Sequence, residues 1–189
     1  MVAIRKATKE QAPEIAQLIM MAMTHECCQH FCGEGHGLED FRHMMTMLVE
    51  REDSQYSYKN TIVAMDGDRV AGIAVSYDGS QLHPLRQAFV EMARKWLNKD
   101  HSGMDDETQA GELYLDSLAV LPTHRRQGIA SCLLAAAAER ARELGIPRVG
   151  LLVDKGNPDG ERLYLSAGFR YANDSEWGGH PMKHLVWDF

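Results

Sequence analysis

No uninterrupted apolar stretch in the sequence reaches the roughly 18 residues that a membrane-spanning helix needs. The first residues, MVAIRKATKEQ, lack the apolar core of a signal peptide. These two absences predict a cytoplasmic protein with reduced thiols and no membrane partner. Basic charge is also in short supply. Lys and Arg number 20 against 27 Asp and Glu, a formal net charge of −7 at pH 7 with His neutral. Such a chain repels nucleic acid overall, so no nucleic-acid partner is expected. Nothing repeats internally and no linker divides the chain. A single domain over residues 1–189 is therefore expected.

Cysteine is scarce and poorly spaced for a metal. Of the four, Cys27, Cys28 and Cys32 fall in THECCQHFCGEGH with His25, His30 and His36, and Cys132 is far away. Were Ala22 to Phe31 helical, His25, Cys28 and Cys32 would share one face. The spacing matches no standard zinc pattern, however, and there is no second CxxC. Buried cysteines and helix-surface histidines explain the segment equally well. The expectation is no metal, with a metal-binding protein as an alternative that elemental analysis would separate.

What is present reads as one mixed α/β domain. VAIRK (2–6) suggests a first strand. Thr8, with Gln11 three residues on, suggests a capping box opening a helix through Ile15, Leu18, Ile19 and Ala22, broken by the glycines of GEGHG. A second helix runs through Phe41, Met44, Met45 and Leu48. TIVAMD and RVAGIAVSYD, joined by Asp66-Gly67-Asp68, predict a hairpin. A helical segment through Phe89, Met92, Ala93 and Trp96 follows, and then KDHSGMDDETQAG predicts a polar, flexible loop. ELYLDSLAV (112–120) is a strand on which Glu112, Tyr114 and Asp116 share one face, with Leu113, Leu115 and Ser117 on the other. A long helix, the strand RVGLLVD, the short helix NPDGERLYLSAG and the strands FRYAND and KHLVWDF complete the chain.

The stretch THRRQGIASCLLAAAAERARELG carries the first chemical signal. The Ala- and Leu-rich run is a strong helix former with Gly145 at its end. Arg125, Arg126, Gln127 and Gly128 therefore stand where the helix begins. Unpaired backbone amides, the positive end of the helix dipole, two guanidinium groups and a glycine that admits close approach make an anion site, with phosphate the expected anion. A solvated basic helix cap is the plainer alternative.

Two motifs in order then resemble the GCN5-related N-acetyltransferases, the GNAT superfamily. Arg125-Arg126-Gln127-Gly128-Ile129-Ala130 fits their pyrophosphate loop. Asn157 followed by Leu163-Tyr164 and Gly168-Phe169 fits their later segment, with Gly160 where the family usually has Ala. The match is tight over about residues 113–169 and is only an order of elements before residue 79. Residues 80–111 look like an insertion. The resemblance implies an α/β fold whose mixed, mostly antiparallel sheet is splayed at the cofactor site and flanked by helices. It implies an acetyl-CoA-dependent transfer to a primary amine, by direct attack in a ternary complex. Amides of Arg126 to Ala130 would cradle the pyrophosphate, Ser131 would add a hydrogen bond, and Arg125 and Arg126 would add counter-charge. The backbone of Leu118, Ala119 and Val120 would bind pantetheine, and Asn157 and Tyr164 complete the cofactor side. Tyr164 would be the general acid; Asp116 is the first choice of base, Glu112 the second, and water an alternative. A non-catalytic acyl-CoA-binding regulatory module on the same fold is the competing reading. The acceptor, a small molecule or a peptide amine, would be shaped by residues 25–48, 80–111 and 177–184. Monomer and homodimer both stay open.

Overall fold

A computed structural model of the chain describes residues 2–189. The order is β1 (Ala3–Lys6), α1 (Ala12–Met23), α2 (His25–Cys32), α3 (Leu38–Glu50), β2 (Thr61–Asp66), β3 (Arg69–Asp78), α4 (Leu82–Leu97), β4 (Leu113–Val120), α5 (Ile129–Glu143), β5 (Arg148–Asp154), α6 (Pro158–Ser166), β6 (Arg170–Trp177) and β7 (His180–Asp188). The strands form one seven-stranded sheet in the order β1-β2-β3-β4-β5-β7-β6. Every pairing is antiparallel except β4–β5.

The central strands β2 and β3 are apolar on both faces, which explains their unbroken runs TIVAM and VAGIAV. Val63, Ile73 and Val75 pack against α1, α3 and α4 through Ile15, Ile19, Phe41, Met44 and Phe89. On the opposite face, Ile62, Ala64 and Ala74 meet α5 through Leu133, Leu134, Ala137 and Ala138. The small side chains of α5 face the sheet and let helix and sheet approach closely. Met44 and Met45 are fully buried core residues.

Three local features differ from the sequence expectation. The first helix stops at Met23, well before the glycines, because Thr24 takes φ 73° and ψ 156° and then caps α2, its Oγ1 accepting from the Cys27 N–H at 3.4 Å. A β-branched residue in that region stores strain. The polar stretch Lys99–Gly111 is tied down, with Glu107 and Thr108 buried within it. The Arg86 guanidinium donates to the Met104 and Asp105 carbonyls at 3.1 and 2.8 Å and pairs with Asp106 and Glu107. The third difference lies in β4. Val75 pairs with Ser117 and Ser76 with Leu115, so Asp116 is the extra residue of a bulge. Simple alternation puts Ser117 on the face of Leu113 and Leu115. The bulge carries it to the other face, opposite Val75 and the α1–α4 core.

Beyond the bulge the sheet opens. β4 and β5 pair only at Leu113–Val149 and Tyr114–Gly150. From Leu115 to Val120 the β5-facing edge of β4 has no strand partner.

Candidate active site

The loop between β4 and α5 is built to present amides. Pro122–His124 form one 3-10 turn, and Arg125 folds back so that its Nε donates to the Val120 carbonyl at 3.2 Å. Arg126 and Gly128 then take φ 59° and 78°. Left-handed residues of this kind are what amide-presenting anion nests are built from. The amides of Arg126, Gln127, Gly128, Ile129, Ala130 and Ser131 donate to no acceptor among the described residues. Arg125 to Gly128 are exposed, whereas the Ile129 side chain is buried in the α5 core and anchors the loop. A Cβ at Gly128 would meet no atom within 4 Å. The glycine is thus demanded by its φ and leaves open space in front of the amides. Residues so arranged fit a phosphate group. Next to the loop, Leu118 and Val120 lean on the α5 core while Ala119 is buried on the other face.

At the splay the side chains form a buried polar cluster. The Ser117 hydroxyl donates to Asp116 Oδ2 at 2.8 Å, and Tyr77 Oη donates to Glu107 Oε1 at 3.0 Å. The Gln55 amide reaches Glu107 and Asp116 at 3.4 and 3.5 Å. Burial first, and the Glu107 charge second, push the Asp116 carboxyl up to about 7, while hydrogen bonds from Ser117 and Gln55 pull the other way. Asp116 keeps part of its surface open. Tyr56, Tyr77 and Tyr114 surround the cluster; burial raises their phenol pKa values and the Asp116 charge adds to it. α2 reaches the same place, since Cys27 is raised to about 11 by burial and then by Asp116. Of these groups the sequence pointed to Asp116 as a base, set Tyr114 on its face and named Cys27 only within the Cys/His segment. Gln55, Glu107, Tyr77 and Arg86 are separated from Asp116 by up to 61 residues, and no spacing links them.

Glu112 lies apart from this cluster. Its Oε1 accepts from Thr108 Oγ1 at 2.7 Å, and its Oε2 meets His184 Nε2 at 2.8 Å. His184 Nδ1 faces Asn173 Oδ1 at 3.1 Å, so both imidazole nitrogens face acceptors. Both Glu112 oxygens are engaged, and the pair ties β4 to β7 across β5. Gly150 makes room for it: a Cβ there would lie 2.2 Å from Glu112 Oε2. Gly150→Ala is expected to lower stability by about 1–3 kcal/mol through overpacking. A thermal melt of the variant checks this; an unchanged Tm would show that the Glu112–His184 pair is free to move.

Tyr164 sits on α6, its ring edge-on to Phe169 at 5.8 Å between centroids and packed on the α5 side of the sheet. Burial raises its hydroxyl to about 12. That hydroxyl has no hydrogen-bond partner among the described residues, and Tyr164 is close enough to Tyr114 for their charges to interact. Asn157 caps α6, its Oδ1 accepting from the Gly160 N–H at 3.0 Å. A Cβ on residue 160 would stand 2.6 Å from Asn157 Nδ2, which gives the glycine there a steric reason. His25, Cys28 and Cys32 do share α2, yet among the described residues no three His, Cys, Asp or Glu side chains are grouped as a metal site. Cys28 and Cys32 donate instead to the Met20 and Gly37 carbonyls. Among the described residues no helix is long and apolar enough to cross a membrane.

The sequence pattern of the acetyltransferase (GNAT) family matches residues 21–169. An acetyltransferase of Agrobacterium fabrum is 43% identical over 75 residues, 38% of this chain and 53% of that protein, so the matched part spans about half of that relative. A solved structure described as an acetyltransferase superposes with TM-score 0.84 at 29% identity, covering 98% of both chains. An N-acetyltransferase from Staphylococcus aureus Mu50 gives 0.80 at 21% identity over 97% of this chain and 99% of its own. A Bacillus subtilis acetyltransferase solved in complex with CoA gives 0.56 at 16% identity over 100% and 99%. At those last two identities the likeness is one of fold.

Proposed function

Because the chain belongs to the acetyltransferase (GNAT) family, we propose that it transfers an acetyl group from acetyl-CoA to a primary amine. The observation that carries this reading is the run of six unpaired amides, Arg126 to Ser131, beside the unpaired edge of β4. One is a cradle for phosphate, and the other can accept an extended, amide-bearing arm as a further strand would be accepted. Arg125 and Arg126 add counter-charge, and Leu118 to Val120 form the strand edge.

Acetyl-CoA, when bound, supplies an activated acetyl thioester. The chain's own groups manage the protons. An alkyl ammonium has a pKa near 10.4, like lysine, and cannot attack until it loses a proton. Asp116 takes that proton on its carboxylate; with a pKa of about 7 a substantial fraction is ionised at neutral pH, and that fraction is basic enough to be effective. The N–C bond forms as the C–S bond breaks. Tyr164 gives its hydroxyl proton to the departing sulfur, and the second proton shed by the nitrogen restores it through solvent. A phenol raised to about 12 stays protonated until the thiolate develops. Glu112 has both oxygens committed to Thr108 and His184, and we assign it to holding the sheet rather than to the proton.

The test is Gly128→Val. Its φ of 78° is unfavourable for a β-branched side chain, which would also occupy the open space before the amides. Acetyl-CoA affinity measured by calorimetry is expected to fall at least tenfold, about 1.4 kcal/mol. A folded variant with wild-type affinity, or a wild-type protein that binds no acetyl-CoA, would overturn the reading.

A further inference from the structure

On the basis of the amine-acyltransferase reading, we propose that Gln55, Glu107 and Asp116 form an ammonium pocket that selects amines bearing no carboxylate beside the nitrogen. The acceptor class is then an alkyl or arylalkyl amine, not an α-amino acid.

The argument starts from an orphan. Gln55 is 3% exposed, and its Oε1 is buried without a hydrogen-bond partner. The orientation of the amide is fixed by its neighbours: Nε2 faces Glu107 Oε1 and Asp116 Oδ1, and turning it over would set a carbonyl against two carboxylates. A buried acceptor left unpaired is costly, and a ligand that brings a donor relieves that cost.

Most nearby donors are already committed, Arg86 Nε being buried without a partner. Arg86 gives its terminal nitrogens to Glu107, Asp106 and the Met104 and Asp105 carbonyls. Tyr77 donates to Glu107, and Ser117 to Asp116. What the cluster lacks is positive charge with N–H groups. It holds two carboxylates against one guanidinium, and tyrosine rings line it. An ammonium supplies three donors on one charge and can lie against the faces of Tyr56, Tyr77 or Tyr114. A carboxylate on the neighbouring carbon would be brought up to Glu107 and Asp116, where the guanidinium of Arg86 is already paired. Like charges at such range in a poorly solvated site repel strongly.

The experiment uses matched sets: phenethylamine, phenylalanine and phenylalanine methyl ester; pentylamine and norleucine. Each is measured by thiol release with acetyl-CoA and by calorimetric binding to the CoA-saturated protein. The amine is expected to exceed its amino acid at least 100-fold in kcat/KM in each set, with the methyl ester recovering most of the loss. Gln55→Leu is expected to weaken amine binding at least tenfold while acetyl-CoA affinity is kept, and Glu107→Gln to narrow the gap between phenethylamine and phenylalanine. Amino acids used as well as amines, amines that do not bind, or a Gln55→Leu protein with wild-type amine affinity would each overturn the proposal. Amines that bind selectively but are never acetylated would uphold the pocket and overturn the transfer reading instead.

Discussion

Asp116→Asn is expected to lower kcat/KM by about 10²–10⁴-fold, the usual range for loss of a general base. The wild-type profile should fall roughly tenfold per pH unit below the carboxyl's pKa, which burial and Glu107 set at about 7. The variant should lose that acidic limb. Stability provides an independent reading with the opposite sign from most carboxylates. A carboxyl raised from 3.8 to about 7 binds its proton more tightly in the folded state than in the unfolded state. Its contribution therefore favours the fold below the unfolded value and is progressively lost as pH rises from about 4 to 7. The wild-type Tm should decline over that window more than the variant's. A variant with wild-type rate and an unchanged pH profile would move the base to solvent.

Tyr164→Phe should reduce turnover by roughly 10²-fold, a typical general-acid contribution, with little change in Tm. The reason is structural: the hydroxyl bonds to no described protein group, while the ring's contacts with Phe169 and the α5 side of the core survive the change. Acetyl-CoA affinity should be nearly kept, because the amides from Arg126 to Ser131 are untouched. A lowered melting point with intact turnover would make Tyr164 a packing residue. Thermal melts and thiol release on one purified variant separate the two.

The parts of this site visible in the sequence are those whose chemistry is local. The proposed cradle from Arg125 to Ser131 is consecutive backbone, so spacing together with the family resemblance could point to it. Leu163-Tyr164 and Gly168-Phe169 likewise sit within one turn of helix and its exit. The periodicity of α3, β2, β3 and α5 follows from faces that bury every second or every third and fourth residue. The bulge at Asp116 has no such signature, since it is a property of how β3 and β4 align, and Leu115-Asp116-Ser117 reads as ordinary alternation. Glu107 was hidden for a related reason. Amid Asp105, Asp106, Thr108 and Gln109 it has the composition of a solvated loop. Its burial is matched by Arg86 on α4, Tyr77 and Gln55, all distant in sequence. Thr24 offers no warning either: nothing in MAMTHECC marks a threonine that breaks a helix at positive φ.

The strand order also governs how the protein can be made. β7 follows β6 in the chain yet lies between β5 and β6. Among the described residues β6 has no other strand neighbour, so it cannot join the sheet before β7 exists. As the chain emerges residue by residue, the half with β1 to β4 and α1 to α5 can close first, with the outer edge of β5 bare. The β6–β7 hairpin must then form at its Gly178-Gly179 turn and dock as a unit. Only at that step does His184 reach Glu112, which until then is a carboxylate without its imidazole partner. Translation thus reaches the β4–α5 loop long before the strand that locks the sheet behind it, and a ribosome stalled before residue 180 would hold the proposed cradle on an unfinished sheet.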